Sequence, residues 1–391
     1  MSATLPQFGY FERKWRLPGT DVTITGHSKA MERTGFLLEP LGVVLDAGID
    51  LPLQSSLAGN GPRAILVTHG HIDHSNALPM LLRHMGETRL FTHVFAPVSA
   101  THRLRQFCQL SWQIKVEITD EVPDEYAAPP EDERDPEPNC ELCNPCRPSC
   151  LFRPVVGGGS AVTIDVGKKG SQQLEVHPVT LFHRCNAVGY VLRHPAKTSK
   201  RLRPELIGET KKETADNVKA ARARGEDAQI EELVPARSLL AYVLDTTIEA
   251  LEHDVASGGR KILTCPNIVI ECTYLEDDKH DEAVKRGHIY WGALRPYVAA
   301  SARGDHGEPS TFILCHFSLR YTEEGIKEFF EDPGRCGVRV ATREAGLTRR
   351  PDLVLWLDMG LHELWVLPVL EIEASSQVTN TDEQGAAVLQ R

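Results

Sequence analysis

Hydrophobic residues occur along the chain in short runs that are separated by polar and turn-forming residues. From Val22 to about Ile118, the β-rich runs VTITG, TGFLLEP, GVVLDAGI, RAILVTHG and HVFAP alternate with helix-like segments such as SNALPMLLRHM. Strand-like runs resume with AVTIDV, LEVHPVTLFH and VGYVLR, and later with SLLAYVLDT, NIVIECTY, TFILCHFS and VLWLDMG. This alternation predicts a fold that combines α-helices and β-sheets.

Two polar segments interrupt the pattern. Residues 120–139 contain nine acidic residues, one basic residue and five prolines, so they bury too little apolar surface to order themselves. We predict one domain over residues 1–370, with an acidic and Cys-rich insertion over 120–160 and a basic insertion over 193–236. The polar residues 371–391 have no hydrophobic periodicity and are predicted to form a disordered tail.

The composition is that of a globular protein. Of the 391 residues, 41% are hydrophobic and 25% are charged, which argues against a collagenous or wholly disordered chain. No run reaches the roughly 18 apolar residues of a membrane span, so we expect no membrane contact. The N-terminal segment MSATLPQFGYFERKWRLPGTD carries charged residues where a signal peptide has its apolar segment. We therefore expect a cytoplasmic protein, with the nucleus as the alternative.

The charge is distributed unevenly. The formal net charge of −11 argues against a nucleic-acid partner, but residues 120–139 contribute −8 and leave −3 for the rest of the chain. Residues 193–224 hold ten Lys and Arg against four acidic residues, a net charge of +6. Basic residues in this number can bind the phosphates of a polyanion, and the alternative is a solvated helical face with mixed charges.

Four cysteines with the spacing C-x2-C-x2-C-x3-C follow the acidic segment. Thiolates at this spacing can complete a tetrahedral structural zinc site. Bacterial ferredoxins use the same spacing for an iron–sulfur cluster, but proline usually follows the fourth cysteine there, and Leu151 stands here instead. We therefore favour a structural zinc ion over an iron–sulfur cluster, and four free thiols are the remaining alternative. The four residues are Cys140, Cys143, Cys146 and Cys150.

The most informative motif is THGHIDH at residues 68–74, directly after the apolar run AILV. A buried strand that ends in a loop with three imidazoles and a carboxylate is a way to place a transition metal at the edge of a sheet. His69 and His71 alternate onto one side, whereas Asp73 and His74 lie one turn further on. The spacing therefore predicts two groups of ligands and two adjacent metal ions, against the alternative of surface histidines in a polar loop.

This motif resembles the HxHxDH signature of the metallo-β-lactamase superfamily. The later motifs resemble, in the same order along the chain, those of ribonuclease Z in its short form, the endonuclease that removes the 3′ trailer from precursor tRNA. They are HRCNAVGY from His183, AYVLDTT with Asp245, IVIECTYLEDD followed by Gly287 and His288, and FILCHFSLRYT with His316. The resemblance covers roughly residues 22–321 and implies a zinc-dependent endoribonuclease that acts on precursor tRNA as a homodimer. The basic insertion lies between His183 and Asp245, where the family has an element that grips the tRNA, so the resemblance also implies that it contacts RNA. The candidate RNA-binding residues are Lys197, Lys200, Arg201, Arg203, Lys211 and Lys212.

The resemblance also implies a fold and a set of site residues. The fold is an α+β structure, the metallo-β-lactamase αβ/βα sandwich of two mixed sheets flanked by helices. Two zinc ions would share seven residues, which are His69, His71 and His183 for the first ion, Asp73, His74 and His316 for the second, and Asp245 as the bridge. Asp73 would also manage the proton of the attacking water, and His288, oriented by Glu271, would help to protonate the leaving 3′ oxygen.

Two other functions fit the same residues. The first is hydrolysis of a small phosphodiester, ester or thioester, for which the basic insertion would have no use. The second is a metal-binding interaction module whose Cys cluster and acidic segment recruit a partner. The complete set of metal ligands argues against the module, since a site that has lost its catalytic function is expected to lose some of these ligands.

Overall fold

Two mixed β-sheets form the centre of the fold, and helices cover their outer faces. The structure, a computed structural model, describes residues 14–48, 61–83, 92–112, 117–118, 150–167, 170–258, 261–305, 307–358 and 360–367. Most of the predicted acidic and Cys-rich insertion and the whole of the predicted tail lie outside these residues.

The first sheet has eight strands in the described part of the chain, in the order β1-β2-β3-β4-β5-β6-β8-β7. They are β1 (Trp15–Arg16), β2 (Thr23–Lys29), β3 (Arg33–Glu39), β4 (Val43–Leu45), β5 (Ala64–Leu66), β6 (Thr92–Pro97), β7 (Glu117–Ile118) and β8 (Cys150–Val155). Strands β1 to β4 pair in antiparallel fashion, and the pairs from β4 to β7 are parallel. The five predicted β-rich runs between Val22 and Pro97 coincide with β2 to β6.

The second sheet has nine described strands, in the order β17-β19-β18-β16-β15-β14-β11-β10-β9. They are β9 (Val162–Val166), β10 (Gln172–Thr180), β11 (Val188–His194), β14 (Arg237–Val243), β15 (Asn267–Glu271), β16 (Thr311–Cys315), β17 (Val340–Thr342), β18 (Leu353–Trp356) and β19 (Leu361–Val366). Strands β14, β15, β16 and β18 are parallel neighbours at its centre. Their carboxyl ends therefore lie at one edge of the sheet.

Alternation along the strands divides the apolar side chains between two faces of each sheet. In β3, Phe36 and Leu38 face the layer between the sheets, whereas Leu37 faces the helices outside. Phe36 packs edge-on against Trp356 of the second sheet, with ring centroids 5.2 Å apart. The inner layer joins the two sheets, and each outer layer joins one sheet to helices. This arrangement confirms the predicted α+β sandwich of two mixed sheets flanked by helices.

The helices lie on both sides of this sandwich. Those of the described residues are α1 (Ile72–Ser75), α2 (Leu78–Arg83), α3 (Val98–Trp112), α4 (Lys211–Ala223), α5 (Glu249–Ala256), α6 (His280–Arg286), α7 (Trp291–Ala302), α8 (Glu323–Glu331) and α9 (Pro333–Cys336). Helices α2 and α3 pack on the first sheet, and α5, α7, α8 and α9 pack on the second. None of the described helices has the length and apolar character to cross a membrane.

The basic insertion folds as a small unit beside the second sheet. Strands β12 (Lys197–Leu202) and β13 (Gln229–Val234) form a two-stranded antiparallel sheet, and α4 lies between them in the chain. A small apolar cluster that includes Leu206 and Ala221 holds the unit together. Helix α4 is largely exposed and carries mixed charges, as the alternative interpretation of this segment requires.

Acidic residues compensate most of the charge of this unit. Arg201 pairs with Glu232 at 2.8 Å, and Arg203 donates a hydrogen bond to Glu205 at 2.7 Å. Over residues 193–236, ten Lys and Arg stand against eight Asp and Glu, so the segment is far less basic than residues 193–224 alone. The four candidate lysines form no ion pair within the described chain, and they are Lys197, Lys200, Lys211 and Lys212.

The His93 side chain makes the first sheet sensitive to acid. Arg153 donates a hydrogen bond to His93 Nδ1 at 3.0 Å, and burial together with this guanidinium lowers the pKa of His93 from 6.5 to about 4. The unfolded chain therefore binds a proton near pH 6.5, whereas the folded protein binds it only near pH 4. As a result, the free energy of unfolding decreases as the pH falls from 6.5 to 4.

We expect His93→Gln to lose less stability than the wild type as the pH falls from 6.5 to 4, because its amide does not titrate. The amide oxygen can still accept the hydrogen bond from Arg153. Urea unfolding at a series of pH values measures the difference. Identical pH dependence of the two proteins would contradict this account of His93.

Candidate metal centre

The THGHIDH loop is anchored to the end of the neighbouring strand. Strand β5 ends before the motif, and the short helix α1 begins within it. Ala47, which follows β4, donates its backbone N–H to His74 O at 2.6 Å. A Cβ atom at Gly48 would lie 2.1 Å from Asp73 O, so this close approach requires glycine. The two strand ends therefore set the position of the motif together.

The other predicted ligands lie in loops at the edge of the second sheet. Asp245 follows β14 and His316 follows β16, and these strands are joined by β15 in a parallel arrangement. His183 lies in the loop between β10 and β11. The structure thus brings the seven predicted ligands together, and they are His69, His71, Asp73, His74, His183, Asp245 and His316.

The two carboxylate oxygens of Asp245 divide four imidazoles into two pairs. Its Oδ1 lies 3.2 Å from His316 Nε2 and 3.3 Å from His74 Nε2. Its Oδ2 lies 3.6 Å from His69 Nε2 and 3.9 Å from His183 Nε2. A carboxylate between two such pairs has the position that a bridging ligand needs.

His71 and Asp73 complete the two groups. His71 Nδ1 lies 2.8 Å from His69 Nε2, on the side of His183. Asp73 Oδ2 lies 3.5 Å from His74 Nε2 and 3.9 Å from the Nε2 of His316. Each group therefore contains three side chains in addition to Asp245.

Several atoms that face one another in this cluster are buried and have no hydrogen bond. They are Nε2 of His74, His183 and His316, and Oδ1 of Asp245. A buried polar atom without a hydrogen bond costs about 1–3 kcal/mol. A divalent cation satisfies imidazole nitrogens and carboxylate oxygens at once, so these residues fit divalent metal ions.

The second nitrogen of each imidazole is held by a neighbour, as is usual for metal-binding histidines. The partners are Thr68 Oγ1 for His69 Nδ1 at 3.1 Å, Asp46 Oδ2 for His74 Nδ1 at 2.9 Å, Gly287 O for His183 Nδ1 at 2.9 Å, Thr273 Oγ1 for His316 Nδ1 at 3.1 Å, and Cys185 Sγ for His71 Nε2 at 3.8 Å. Sequence reasoning missed these partners. Thr68, Cys185, Thr273 and Gly287 lie within the motifs quoted above and Asp46 lies outside them. The motifs do not show which imidazole each residue contacts, because only the fold places them behind the ligands.

Among these partners, Asp46 contacts several residues at once. Its fully buried carboxylate accepts hydrogen bonds from the backbone N–H of Thr68 at 2.7 Å and from the Tyr242 hydroxyl at 2.9 Å, in addition to its contact with His74. It thus links the metal-binding loop to the centre of the second sheet. A conservative change at this position tests whether the residues behind the candidate ligands affect the affinity for metal ions.

We expect Asp46→Asn to weaken metal binding by roughly 10- to 100-fold, because the neutral amide holds the His74 imidazole less firmly. Competition with a metal chelator measures the affinity, and circular dichroism shows whether the fold is kept. Thr101→Val serves as the control, since the Thr101 hydroxyl bonds only backbone oxygens of residues 96–97. An unchanged affinity in folded Asp46→Asn would refute a positioning role for Asp46.

Backbone strain is concentrated around this cluster. Four non-glycine residues have a positive φ in the described chain, namely Met31 at 62°, Asp46 at 53°, Asp245 at 54° and His316 at 61°. Each such residue costs about 1–3 kcal/mol, and such strain tends to occur at functional sites. Met31 also donates its backbone N–H to Asp73 Oδ2 at 3.1 Å.

Charge interactions fix the protonation of the central carboxylate. Burial alone would raise the pKa of Asp245, but the adjacent imidazoles of His316 and His74 hold that pKa well below its usual range. Burial also lowers the pKa of His69 well below its usual value, and the neighbouring His74 adds to this effect. Asp245 as an anion and His69 as a neutral imidazole are in the forms that bind metal ions. His74 differs, since burial alone would lower its pKa but the carboxylates of Asp245 and Asp46 raise that pKa well above its usual value, so a metal ion that binds His74 must displace a proton.

His288 and Glu271 form a pair at the border of the cluster. His288 Nδ1 lies 3.1 Å from both oxygens of the fully buried Glu271 carboxylate. The His288 ring centroid lies 5.2 Å from that of His183 and 5.5 Å from that of His316. Burial alone would lower the pKa of His288, but the Glu271 carboxylate raises it to about 9. The structure therefore brings the predicted His288 and Glu271 together beside the metal centre.

Glu271 is held rigidly by other donors. The backbone N–H groups of Thr246 and Ile289 donate to it at 2.6 Å and 3.1 Å, and the Thr273 hydroxyl donates at 2.6 Å. Ile289 follows His288 directly and is buried, so the segment after His288 is anchored by the same carboxylate. His288 thus has a fixed orientation.

The metal centre opens into a cavity of about 570 Å³. Arg184, Arg286 and His288 line it together with five of the candidate metal ligands, which are His71, Asp73, His183, Asp245 and His316. Arg184 forms no ion pair within the described residues, whereas Arg286 contacts Glu282 at 3.3 Å. The opening therefore presents positive charge in a chain whose net charge is −11. This suits an anionic substrate.

The predicted Cys cluster is only partly within the described chain. Cys140, Cys143 and Cys146 lie outside the described residues. Cys150 begins β8, and its side chain is buried in the layer that contains Cys108 and Phe152. The structural zinc ion remains a prediction.

Comparison with known proteins gives one family match. Residues 41–89 match the model of the metallo-beta-lactamase superfamily. No curated protein matches the chain at a significant level. Three similar solved structures are human tRNase Z, short form (16% identity, 77% of this chain, 94% of that chain, TM-score 0.41), yeast PDE1 (12%, 87%, 98%, 0.44) and the metallo-beta-lactamase fold protein YhfI from Bacillus subtilis (9%, 79%, 90%, 0.44).

The matched residues 41–89 include the THGHIDH motif and the strands on both sides of Asp46. The two mixed sheets with helices on their outer faces are the metallo-β-lactamase fold. The chain thus combines the metallo-β-lactamase fold, a segment that matches the model of that superfamily, and a cluster of residues that fit metal ions.

Proposed function

We propose that the protein is a zinc-dependent phosphodiesterase that cleaves the 3′ trailer from precursor tRNA. The observation that carries the proposal is the Glu271–His288 pair, which holds an imidazole at the border of the metal centre. A phosphodiester has a poor alkoxide leaving group, so its hydrolysis needs a proton donor as well as positive charge around the phosphate. His288 and the arginine-lined cavity would supply both.

The two ligand groups on either side of Asp245 would hold two zinc ions. Two divalent ions at such a site lower the pKa of water and offset the negative charge of a bound phosphate. Asp73 would accept the proton of the attacking water, since its carboxylate lines the cavity and is held by the Met31 N–H at 3.1 Å. Arg184 would orient a phosphate oxygen.

His288 would act on the leaving side. Its Nδ1 is occupied by Glu271, so Nε2 is the atom that delivers a proton to the 3′ oxygen. Water adds to phosphorus as the P–O3′ bond breaks, and the 3′ oxygen takes the proton from His288. The products are tRNA with a 3′-hydroxyl and a trailer with a 5′-phosphate.

The choice of precursor tRNA rests on the resemblance of the motifs to ribonuclease Z and on the exposed lysines of the basic insertion. Because Arg201 and Arg203 are engaged by acidic neighbours, we assign phosphate contacts mainly to the lysines. These residues are Lys197, Lys200, Lys211 and Lys212. Such contacts give RNA affinity that falls steeply with salt.

Single-turnover cleavage of a 3′-extended precursor tRNA tests the proposal. Zinc-loaded wild type and His71→Ala are compared, and bis(p-nitrophenyl) phosphate is assayed in parallel. The proposal expects cleavage after the discriminator base by the wild type and none by His71→Ala. Turnover of the small diester alone would refute the tRNA substrate, and inactivity on both with metal bound would refute phosphodiester hydrolysis.

A hydrolase of a small phosphodiester is the second candidate. It is favoured by the near balance of charge over residues 193–236, where ten basic residues stand against eight acidic ones. Replacement of the four candidate lysines by Gln tests whether the basic insertion binds RNA. Slower tRNA cleavage with unchanged turnover of the small diester supports RNA binding by these lysines, whereas unchanged cleavage of tRNA would exclude them from the binding surface.

A further inference from the structure

A second cavity opens beside the metal centre, on the side of His71. It has a volume of about 590 Å³ and shares His71, Ile72 and Cys185 with the metal cavity, but His288 does not line it. Its volume falls within the range of roughly 300–1,000 Å³ that is usual for small-molecule sites. We call it the α3 cavity, because helix α3 forms one wall.

One face of α3 lines this cavity. Ala100, Arg103, Leu104 and Phe107 are spaced so that they share one side of the helix. The facing wall includes Ile72, whose side chain is 63% exposed although it lies next to the metal ligands. The cavity therefore has apolar and aromatic walls at the entrance to the candidate active site.

Besides His71, Ser75 and Ser99, the lining of the cavity includes a guanidinium and an amide. Arg103 is exposed and forms no hydrogen bond or ion pair within the described residues. Asn186, which follows the shared residue Cys185, adds an amide to the lining. An aromatic ring, a free guanidinium and an amide around one cavity suit a nucleotide, whose base stacks on the ring and whose phosphate pairs with the cation.

We infer that the α3 cavity binds the nucleotide that is joined through its 5′ oxygen to the scissile phosphate, the first nucleotide of the trailer. This inference rests on the proposed phosphodiesterase function. His288 protonates the leaving 3′ oxygen, so the nucleoside that carries this oxygen lies on the His288 side. The nucleoside on the 5′ oxygen then extends away from His288, past His71 and into the α3 cavity.

Within this subsite, Phe107 is the stacking residue and Ile72 supports the opposite face of the base. Arg103 lies one helical turn from Phe107 on the same face of α3, where it meets the next phosphate along the trailer. Base stacking on an aromatic side chain changes affinity by roughly 5- to 100-fold per base. Because stacking is tolerant of base identity, the subsite accepts trailers of different sequence.

Two diesters with the same leaving group separate the contribution of the subsite to binding from any effect on the chemical step. In methyl p-nitrophenyl phosphate the retained substituent is a methyl group, whereas in uridine 5′-(p-nitrophenyl phosphate) it is a nucleoside on the 5′ oxygen. Zinc-loaded wild type, Phe107→Ala and the control Leu110→Ala are compared by kcat/KM. Leu110 is an exposed apolar residue on the same helix that does not line the cavity.

We expect Phe107→Ala to lower kcat/KM for the uridine ester by about 10-fold and to leave the methyl ester unchanged. Leu110→Ala should change neither. An equal loss on both esters would assign Phe107 a purely structural role, and no loss on either would place the nucleoside elsewhere. Both results would overturn the subsite but leave the phosphodiesterase intact.

If neither ester is hydrolysed, the proposed function is refuted, and a binding experiment then tests the subsite independently. Calorimetric titration with uridine 5′-monophosphate, and with methyl phosphate as the reference, isolates the contribution of the nucleoside. That contribution should fall in Phe107→Ala and persist in Leu110→Ala. The wild type should bind uridine 3′,5′-bisphosphate more tightly than uridine 5′-monophosphate, and Arg103→Gln should lose this difference in affinity. Equal binding of uridine 5′-monophosphate by wild type and Phe107→Ala would overturn the subsite.

Discussion

Asp245→Asn is expected to lower phosphodiester turnover by about 1,000-fold or more and to release metal ions from the centre. The two oxygens of Asp245 face His74 and His316 on one side and His69 and His183 on the other, at 3.2–3.9 Å. Asparagine keeps the shape of the side chain but removes the negative charge that lies between the two groups of candidate ligands. Metal content by mass spectrometry and turnover of bis(p-nitrophenyl) phosphate measure the two effects.

Asp254→Asn is the matched control for this experiment. Asp254 is also a buried aspartate, but it accepts hydrogen bonds from the backbone N–H groups of Lys261 and Ile262 and does not line the metal cavity. Its replacement should lower the stability and leave the metal content unchanged. If Asp245→Asn kept wild-type metal content and turnover, the bridging position of Asp245 would be wrong.

His288→Asn is expected to slow RNA cleavage by about 100- to 10,000-fold, the usual contribution of a general acid or base. The effect should depend on the leaving group. A 3′ alkoxide needs the proton that His288 Nε2 would deliver, whereas p-nitrophenolate leaves without one. Turnover of p-nitrophenyl diesters should therefore fall far less than RNA cleavage, and an equal loss on both substrates would exclude His288 as the proton donor.

The pH dependence of RNA cleavage gives an independent test of the Glu271–His288 pair. Because the Glu271 carboxylate raises the pKa of His288 to about 9, the proton is present below this pH and is lost above it. Cleavage by the wild type should decline as the pH rises through about 9. In Glu271→Gln the charge that raises this pKa is absent, so the decline should move to lower pH; a profile that stays in place would contradict the pairing.

The strands and the central motif were predictable from the sequence because their signals are local. Runs such as RAILVTHG contain both the buried strand and the ligands that follow it, and alternation in β3 assigns Phe36 and Leu37 to opposite faces. Strands β12 and β13 had no such signal. Their side chains are mostly exposed, so neither strand shows the alternation of buried and exposed positions that marks a strand in sequence.

A count of charged residues along the chain does not show which residues of the basic insertion are available to bind RNA. Residues 193–224 are strongly basic, and the segment predicted to grip RNA was defined by that count. In the structure, β13 brings Glu231 opposite Lys200 and Glu232 against Arg201. Tertiary contacts thus decide which cations are engaged. Arg201 and Arg203 form ion pairs, whereas the four lysines form none among the described residues and are the better candidates.

The sequence by itself determined the α+β class, the positions of most strands and the identity of the candidate ligands, because each depends on a few consecutive residues or on a motif. Only the tertiary structure decided how the ligands are divided around Asp245, which residues hold their second nitrogens, and that Phe107 and Arg103 stand beside the metal centre. These features join residues that are far apart in the chain. Their contacts exist only after the parallel strands have aligned their carboxyl ends at one edge, which no local pattern records.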